Sequence, residues 1–388
     1  MAVTETTKEG WGSRLGGSLR GVLFGLGLFV AGFPVLFWNE GDYVKMAKAL
    51  DEGEGACVAV DSNAAVDGEM EGRLVHMTGR ADTKEVLSDD VFGVSVTAIR
   101  LSRKVEMYQW REHSKTEEKK NLGGSVTKTT TYTYDRVWSD ELISSDDFKE
   151  QGHENPPAME FSSEERYASA VSFGAFMLNE RQVKRIGSEK AYAFPTSFVC
   201  KVERSQVSGT TIYVPEQKTR ENPLNNRNVA SQPRIGDIRV TFEVVYPHDI
   251  SIVAKQKGDT FVGYTAKTGK KVDLLSDGIR DSAEMFESAR SSNSFMTWVV
   301  RLVGFLMMYF GLSMALRPLS VLGDVLPILG DIISIGTGLV AGLVALVCAL
   351  VTIAVAWLFY RPVIGVILLA VAAFFLWKLY QKRAAKKA

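Results

Sequence analysis

The 388-residue sequence lacks the short motifs that mark many enzymes and cofactor-binding proteins. It contains no CxxC, GxSxG, HExxH, P-loop or dinucleotide-binding pattern. Its histidines are scattered without the spacing of metal ligands; they are His76, His113, His153 and His248. These absences predict a protein that is not an enzyme and that has no cofactor, no metal site and no catalytic residue.

An excess of charge of one sign is also absent, since 45 Lys and Arg residues balance 45 Asp and Glu residues. Proteins that bind nucleic acid carry a basic surplus, so this balance argues against a nucleic-acid partner. Cysteine is scarce, with only Cys57, Cys200 and Cys348. Cys57 and Cys200 allow one disulfide in an oxidising compartment, and their spacing does not decide whether it forms.

Long apolar runs lie at the two ends of the chain. Residues 21–38 carry no charge and are long enough, at about 1.5 Å per residue, to cross the roughly 30 Å hydrocarbon core of a bilayer. A secretory signal peptide is the competing interpretation, because Arg14 and Arg20 precede the run. The sequence therefore predicts four transmembrane helices, one N-terminal and three C-terminal. The C-terminal three are 298–316, 332–359 and 362–378.

Basic residues outside these runs predict the orientation. They are concentrated in 1–20 and 379–388, and Lys and Arg favour the cytoplasmic side of a membrane. Both termini are then cytoplasmic, residues 39–297 form a large extracytoplasmic domain in a periplasm or lumen, and 317–331 form a cytoplasmic interfacial linker. Four residues of the tail are predicted to contact anionic lipid headgroups. They are Lys382, Arg383, Lys386 and Lys387.

Glycines recur at four-residue intervals in the membrane segments. Gly17, Gly21 and Gly25 lead into the first span, and Gly338 and Gly342 lie in the third. This spacing predicts close packing of helices, although glycine is also simply frequent in membrane helices. No Asp, Glu, Lys or His lies in the interior of a span, which disfavours a transporter driven by buried charge.

The polar block 39–297 has the pattern of an α+β or mainly β domain. Residues 40–56 and 279–296 have helical spacing and continue into the first and second spans. Residues 162–186 predict an amphipathic helix that starts at a Ser-Glu-Glu sequence. Alternating patterns predict strands at 72–81, 91–113 and 124–143 and in four runs between 236 and 278.

The hexamer VEMYQW, residues 105–110, is the densest cluster of large side chains in this block. As a strand it directs Val105 and Met107 to one face and Tyr108 and Trp110 to the other, and we expect it to pair with 124–143. Gln109 joins the first face and Glu106 the second, so neither face is cleanly polar. The pattern therefore favours a strand buried on both sides or a strand at a contact between subunits, with a ligand-binding aromatic shelf as the alternative.

Five segments of the chain resemble one family. They are EGRLVH (71–76), VEMYQW (105–110), GDIRVTF (236–242), RSSNSFMTW (290–298) and WLFYRP (357–362). The chain resembles the LUMA family, also called transmembrane protein 43, in these segments and in their order. It also resembles this family in having one N-terminal and three C-terminal spans. The resemblance extends over almost the whole chain, and it is weakest at 114–130 and 200–232.

The resemblance implies a multipass membrane protein with a large lumenal or periplasmic domain and no established catalytic residue. Animal members reside in the endoplasmic reticulum and inner nuclear membrane, where they associate with other membrane proteins and organise complexes. We therefore expect a non-enzymatic scaffold, with membrane lipids, further copies of itself and other membrane proteins as partners. The protein would reside in the inner membrane of a bacterium, or in the endoplasmic reticulum or inner nuclear membrane of a eukaryote. Two alternatives remain open: an ion channel or channel-modulating subunit, and an extracytoplasmic enzyme acting on lipid or envelope material.

Overall fold

The computed structural model describes residues 3–216 and 228–363 as a β-rich domain joined to three long helices. The helices are α1 (Trp11–Ala56), the short α2 (Glu180–Val183), α3 (Ser282–Gly323) and α4 (Pro327–Tyr360). Of these, α1, α3 and α4 contain segments long and apolar enough to cross a membrane. The predicted fourth span at 362–378 lies almost wholly outside the described residues, and the basic tail lies entirely outside them.

Two of the long helices extend beyond the predicted spans. α1 continues to Ala56, and α3 begins at Ser282, which confirms the predicted helical extensions of the first two spans. The predicted second span ends at residue 316, and α3 continues beyond it, through Pro318, to Gly323. A proline removes one backbone donor, and here the following turn is held by tertiary packing, since Val321 is buried. Most of the predicted linker 317–331 therefore belongs to α3 or α4, and only a short turn separates the two helices.

The strands are numerous and mostly short. The first ten are β1 (Val3–Glu9), β2 (Val58–Ala59), β3 (Leu74–Asp82), β4 (Val86–Asp89), β5 (Val94–Thr97), β6 (Arg100–Lys120), β7 (Val126–Ser139), β8 (Glu164–Tyr167), β9 (Ser172–Phe173) and β10 (Phe176–Met177). The others described are β11 (Lys190–Ala191), β12 (Gln206–Ser208), β13 (Thr211–Val214), β14 (Ile238–Val245), β15 (His248–Lys257), β16 (Thr260–Val262), β17 (Tyr264–Thr265), β18 (Lys271–Val272) and β19 (Leu274–Asp277).

Most strands form two largely antiparallel sheets. The first has the order β1-β7-β6-β14-β13-β12, with β8 beside β6 and β11 beside β14. The second has the order β10-β9-β3-β15-β16, with β19 beside β15 and β2 parallel to β3. β14 and β15 are consecutive in the chain but belong to different sheets. The four predicted runs between 236 and 278 therefore form strands of three sheets, since β17 and β18 pair with each other in a separate two-stranded sheet.

Each sheet buries one face. Val105 and Phe242 belong to the core of the first sheet, and Met77 and Phe261 belong to the core of the second. A third cluster joins the domain to the helices, and Phe286 of α3 is fully buried in it. The domain is thus seated on the parts of α1 and α3 that extend beyond the apolar spans.

The predicted amphipathic helix at 162–186 is wrong. This segment instead supplies β8, β9 and β10, followed by the single turn of α2. Gly174 has a φ of 59° and turns the chain between β9 and β10, which places Phe173 and Phe176 in the second core. Short runs of apolar residues fit the periodicity of both a helix and a strand. Here the tight turn at Gly174 interrupts a helix and allows β9 and β10 to pair.

A long hairpin projects from the first sheet. Its strands β6 and β7 pair from Met107–Ser139 to Lys120–Val126, which confirms the predicted pairing of 105–110 with 124–143. Residues 114–120, which follow the predicted strand 91–113, also belong to β6, and the turn lies at 121–125. β1 adds a third strand along β7. We call residues 3–9, 111–120 and 126–136 the ribbon.

The turn of the ribbon lies at the start of α1, far from the domain. The Gly123 N–H donates to the Val325 carbonyl at 3.1 Å, and the Arg14 guanidinium donates to the Gly124 carbonyl at 2.6 Å. The sequence predicts the turn on the extracytoplasmic side, as part of 39–297, and Arg14 and Val325 on the cytoplasmic side. The structure brings these three segments together at one end of the helix bundle.

Candidate functional site at the two ends of the helix bundle

A buried carboxylate lies where the three long helices meet beside the domain. Glu40 of α1 is 1% exposed, and it accepts hydrogen bonds from Arg301 Nε at 2.6 Å and Nη2 at 2.8 Å. The indole Nε1 of Trp357 on α4 donates to the same carboxylate at 2.8 Å. Bidentate, charge-assisted hydrogen bonds of this kind are strong and directional. One side chain of α1 therefore fixes the positions of α3 and α4.

Aromatic side chains and close packing surround this Glu40 cluster. The Arg301 guanidinium lies 4.6 Å from the ring centre of Trp298, and the Arg361 guanidinium lies 4.9 Å from that of Tyr43. Asn39 donates to the carbonyl of Thr297 at 3.2 Å. Arg301 lies three residues after the RSSNSFMTW segment, and Trp357 begins the WLFYRP segment. Two of the five segments that carry the family resemblance thus meet here.

The sequence carried part of the signal for this cluster. Arg301 interrupts the predicted second span, and an ionisable residue within a span by itself indicates a buried partner. Glu40 follows the first span closely, so the opposite charge was also visible in the sequence. Trp357 carried no such signal, because tryptophan is common at membrane interfaces without any specific bond.

A second polar cluster ties the ribbon turn to the opposite end of the bundle. The side chain of Asp324 is 2% exposed and accepts from Arg14 at 2.5 Å and from Lys120 at 2.7 Å. Lys120 also pairs with Asp331 at 2.8 Å. We call Arg14, Lys120, Asp324 and Asp331 the tip cluster. It joins the start of α1, the ribbon, the turn after α3 and the N-terminal part of α4.

Hydrogen bonding sets the charge states in the tip cluster. Burial opposes ionisation of Asp324, but hydrogen bonds from Lys120 and Arg14 hold the pKa of its carboxyl below the ordinary value. Burial likewise opposes the charge on Lys120, but hydrogen bonds to Asp324 and Asp331 raise the pKa of its ammonium above the ordinary value. The carboxylate therefore stabilises the folded state above its unfolded pKa, and the ammonium does so below its unfolded pKa.

We expect the ribbon turn to stay docked between about pH 4 and about pH 10, the ordinary pKa values of Asp and Lys. Docking should weaken as the pH falls through the lowered pKa of Asp324, or rises through the raised pKa of Lys120. A spin label at the exposed Leu122 would report this as increased mobility. A second label at Asn63 on the domain separates local release from unfolding. Mobility at Leu122 that increases only together with mobility at Asn63, in both acid and alkali, would contradict the prediction.

The structure places the two faces of the hexamer 105–110 differently. Val105 and Met107 lie in the core of the first sheet, whereas Tyr108 and Trp110 are half-buried on the other face. The Tyr108 ring centre lies 5.1 Å from that of Trp138, and the Trp110 ring centre lies 4.5 Å from that of His153. The chain's own side chains therefore cover much of this second face.

Tyr108→Ala and Trp110→Ala should each lower the free energy of unfolding by about 1–3 kcal/mol, because each removes a half-buried ring from an aromatic pair. Chemical unfolding of the full chain in detergent measures this, and Tyr108→Phe, which keeps the ring, is the control. We expect the oligomer mass to stay unchanged. A folded variant of unchanged stability that dissociates would instead identify this face as a contact between subunits.

The predicted packing glycines differ in their surroundings. A Cβ on Gly25 would lie 2.6 Å from the carbonyl oxygen of Gly311, so α1 and α3 approach closely there. A Cβ on Gly338 would lie 3.9 Å from the Tyr309 hydroxyl oxygen, and one on Gly342 would lie 3.7 Å from the Tyr309 ring, both ordinary contact distances. A Cβ on Gly17 or Gly21 would meet no heavy atom within 4 Å among the described residues. Among the three predicted packing glycines near the first span, Gly25 is thus the one at a close approach of α1 to α3. Its partner on α3, Gly311, was not identified from the spacing of glycines in the sequence.

Cys57 and Cys200 are both free. They pack against different clusters, Cys57 at the junction with the helices and Cys200 on the core of the first sheet. Burial, with a smaller contribution from Glu54, raises the pKa of the Cys57 thiol to about 11. A thiol with such a pKa stays protonated at neutral pH and is a poor nucleophile.

The histidines also lie apart. His76 bonds to the carbonyl of Arg280, whereas His113 and His248 each bond to an aspartate. In the described parts of the chain, no three side chains of His, Cys, Asp or Glu come together as metal ligands would. Two open grooves of about 360 and 350 Å³ lie on the domain, and no histidine lines either of them. The predicted lipid contacts at Lys382, Arg383, Lys386 and Lys387 fall outside the described residues.

Comparison with known proteins covers nearly the whole chain. The family model described as Transmembrane protein 43 matches residues 107–362. The chain is 34% identical to Transmembrane protein 43 of Mus musculus over 94% of this chain and 90% of the mouse protein. It is 34% identical to that of Homo sapiens, over 96% and 92% of the two chains, and 31% identical to the Drosophila melanogaster homolog, over 92% and 93%. No solved structure matches significantly.

Proposed function

We propose that this chain, which belongs to the transmembrane protein 43 family, is a non-enzymatic membrane scaffold that self-associates and holds other membrane proteins in place. One observation carries the proposal: the buried charged side chains join separate elements of the chain. Glu40 joins three helices, Asp324 joins two helices to the ribbon, and the buried pair of Arg103 with Asp89 joins β6 to β4. Such pairs favour one fixed arrangement of elements.

Contacts along α1 support a fixed orientation of the domain on the helices. The Glu52 carboxylate accepts from the Lys267 N–H at 3.0 Å. The Thr268 hydroxyl donates to the Lys45 carbonyl at 3.0 Å, and Arg290 of α3 pairs with Asp51 of α1 at 3.1 Å. A domain held in this way presents its surfaces at a constant angle to the membrane, as a scaffold requires.

The edges of the first sheet support self-association. β1 and β12 are its outermost strands among the described residues. An outermost strand carries backbone donors and acceptors that can pair with a strand of another chain. Every residue of β1 after Val3 is polar, and residues 4–8 are all exposed, so β1 is more suited to a hydrated contact between copies than to burial in the domain core.

Co-purification of two differently tagged copies tests self-association. When both copies are expressed in one membrane, we expect capture of the first tag to recover the second in comparable amounts. Membranes expressed separately and mixed after solubilisation are the control and should give far less recovery. Equal recovery in the two samples, at the level of an unrelated tagged membrane protein, would contradict the proposal.

A second candidate function, an ion channel or channel-modulating subunit, is favoured by a different observation. The polar ribbon reaches from the domain to Arg14 at the other end of the helix bundle, so it passes the depth of the predicted first span. A protein surrounded only by lipid at that depth would not carry Lys and Glu side chains there. Ion flux through liposomes that contain the purified chain tests this function. A scaffold alone predicts flux no greater than in empty liposomes.

A further inference from the structure

The ribbon reaches from the domain to the opposite end of the helix bundle. Its turn is bonded at Arg14, whereas the domain contacts α1 from Asp42 onward, where Lys270 pairs with that aspartate. The helix between Arg14 and Asp42 is about 42 Å long at about 1.5 Å per residue. β6 covers about 33 Å between Trp110 and Lys120 at about 3.3 Å per residue. The ribbon is therefore long enough to pass the whole predicted first span.

The two neighbours have opposite chemistry. The helices present exposed apolar side chains at this depth, such as Leu23, which is 79% exposed, and Phe24, which is 68% exposed. The ribbon presents Lys, Glu and Thr on both faces, and the side chain of Lys115 is 80% exposed. A bilayer that covers Leu23 and Phe24 would place the ribbon at the same depth.

Lipid cannot surround such a ribbon. Hydrocarbon offers no hydrogen bonds, so an unpaired backbone group of a strand edge is strongly unfavourable there, and a charged side chain is more unfavourable still. The backbone of 111–120 is paired by a strand only on the β7 side, and β1 is paired only on its own β7 side, within the described residues. Non-helical backbone at membrane depth occurs where it is buried in protein or lines a water-filled space.

We infer that the ribbon stands in a water-filled space enclosed by several copies of this chain. The helices of each copy face the lipid, and the ribbons face the interior. This inference rests on the proposed self-association and adds the surface at which the copies meet. The three long helices of one copy leave the ribbon exposed, so the other walls must come from neighbours.

The strand directions suit such a ring. β1 and β6 are both antiparallel to β7, so they run parallel to each other. Neighbouring copies in a ring are related by rotation about its axis, and this rotation does not reverse the direction of a strand along that axis. β1 of one copy and β6 of the next therefore also run in the same direction. Two free edges of like direction can pair in a closed ring without inverting any copy.

Single cysteines and a charged, membrane-impermeant thiol reagent test the inference. The full chain, with Cys57, Cys200 and Cys348 each replaced by Ala, is placed in lipid nanodiscs that expose both membrane surfaces. Lys115→Cys and Thr133→Cys report on the ribbon. Leu23→Cys is the lipid-facing control, and Asn63→Cys is the water-facing control; both sites are exposed.

We expect the two ribbon cysteines to react within about tenfold of the rate of Asn63→Cys, and Leu23→Cys to react at least about a hundredfold more slowly, because a thiolate does not form in hydrocarbon. Ribbon cysteines as slow as Leu23→Cys would overturn the inference. A fast Leu23→Cys would also overturn it, since the helices would then not face lipid.

A disulfide tests whether the ribbon stays at membrane depth. Leu122 precedes Gly123, whose N–H donates to the Val325 carbonyl, so we expect Leu122→Cys and Val325→Cys to cross-link within one chain in the same nanodiscs. Failure to cross-link would show a ribbon that swings into bulk water and would overturn the inference. If the ribbon cysteines react but the copies do not co-purify, both the proposed self-association and this inference are overturned. If the ribbon cysteines do not react but the copies co-purify, only this inference is overturned.

Discussion

Arg301→Ala is expected to be among the most destabilising single substitutions in this chain. It removes both guanidinium hydrogen bonds from Glu40 and leaves a carboxylate that is 1% exposed with one remaining donor, Trp357. Removing one partner of a buried ion pair costs about 3–5 kcal/mol, because the other charge stays buried without compensation. Unfolding of the full chain in detergent, followed by tryptophan fluorescence, measures the loss.

Two further variants make this expectation decisive. Arg80→Ala removes an exposed arginine and should change stability by less than about 0.5 kcal/mol. Glu40→Gln combined with Arg301→Met removes both charges, and it should recover part of the stability lost in Arg301→Ala, since no charge then stays buried alone. Equal stabilities for Arg301→Ala and Arg80→Ala would show that the Glu40 cluster does not hold the bundle together.

Gly311→Val should force α1 and α3 apart. A Cβ at this position would lie 2.5 Å from the backbone nitrogen of Phe29 and 2.6 Å from the carbonyl oxygen of Gly25. Backbone atoms cannot rotate away as side chains do, so one helix must move. Overpacking typically costs about 1–3 kcal/mol, and we expect a loss at or above the upper end of that range. The same unfolding measurement applies.

Gly21→Ala is the matched control, because a Cβ there meets no heavy atom within 4 Å among the described residues. Alanine is favoured over glycine in a helix by about 1 kcal/mol, so stability should stay the same or rise. If Gly21→Ala destabilised the chain as strongly as Gly311→Val, the packing surface would extend to Gly21 through another helix or another copy. The prediction that Gly17 and Gly21 are packing residues would then be confirmed.

The long helices were predictable because their signal is local. A run of about 20 apolar residues is sufficient to span a bilayer whatever it packs against. The pairing of 105–110 with 124–143 was predictable for a similar reason, since strand alternation is visible within each segment. The strands at 162–186 were not, because the deciding feature is the turn at Gly174, and the segment's apolar spacing also fits a helix.

The candidate site was less predictable, because its partners are distant in the sequence. Arg301 and Glu40 are 261 positions apart, and Lys120 and Asp324 are 204 apart. The charges themselves were visible, but spacing in the sequence does not indicate which charges pair. The ribbon was missed for another reason: residues 115–120 are charged on both faces and so lack the apolar alternation by which strands are recognised.

The predicted orientation does not determine where the turn of the ribbon lies. Basic residues that flank a span indicate on which side the span begins, and they do not indicate how far a hairpin folds back along it. The turn at 121–125 belongs to the segment predicted as extracytoplasmic, but it is bonded to Arg14 and Val325 at the other end of the bundle. A water-filled space between copies allows both the predicted orientation and these bonds.

Self-association is tested most directly by native mass spectrometry of the full chain released from nanodiscs, without cross-linker and over a range of concentrations. We predict one discrete mass at a fixed multiple of the 42.7 kDa chain, large enough for several copies to surround their ribbons. The multiple should stay the same on dilution. A mass of 42.7 kDa at every concentration would contradict both the scaffold and the enclosed ribbon.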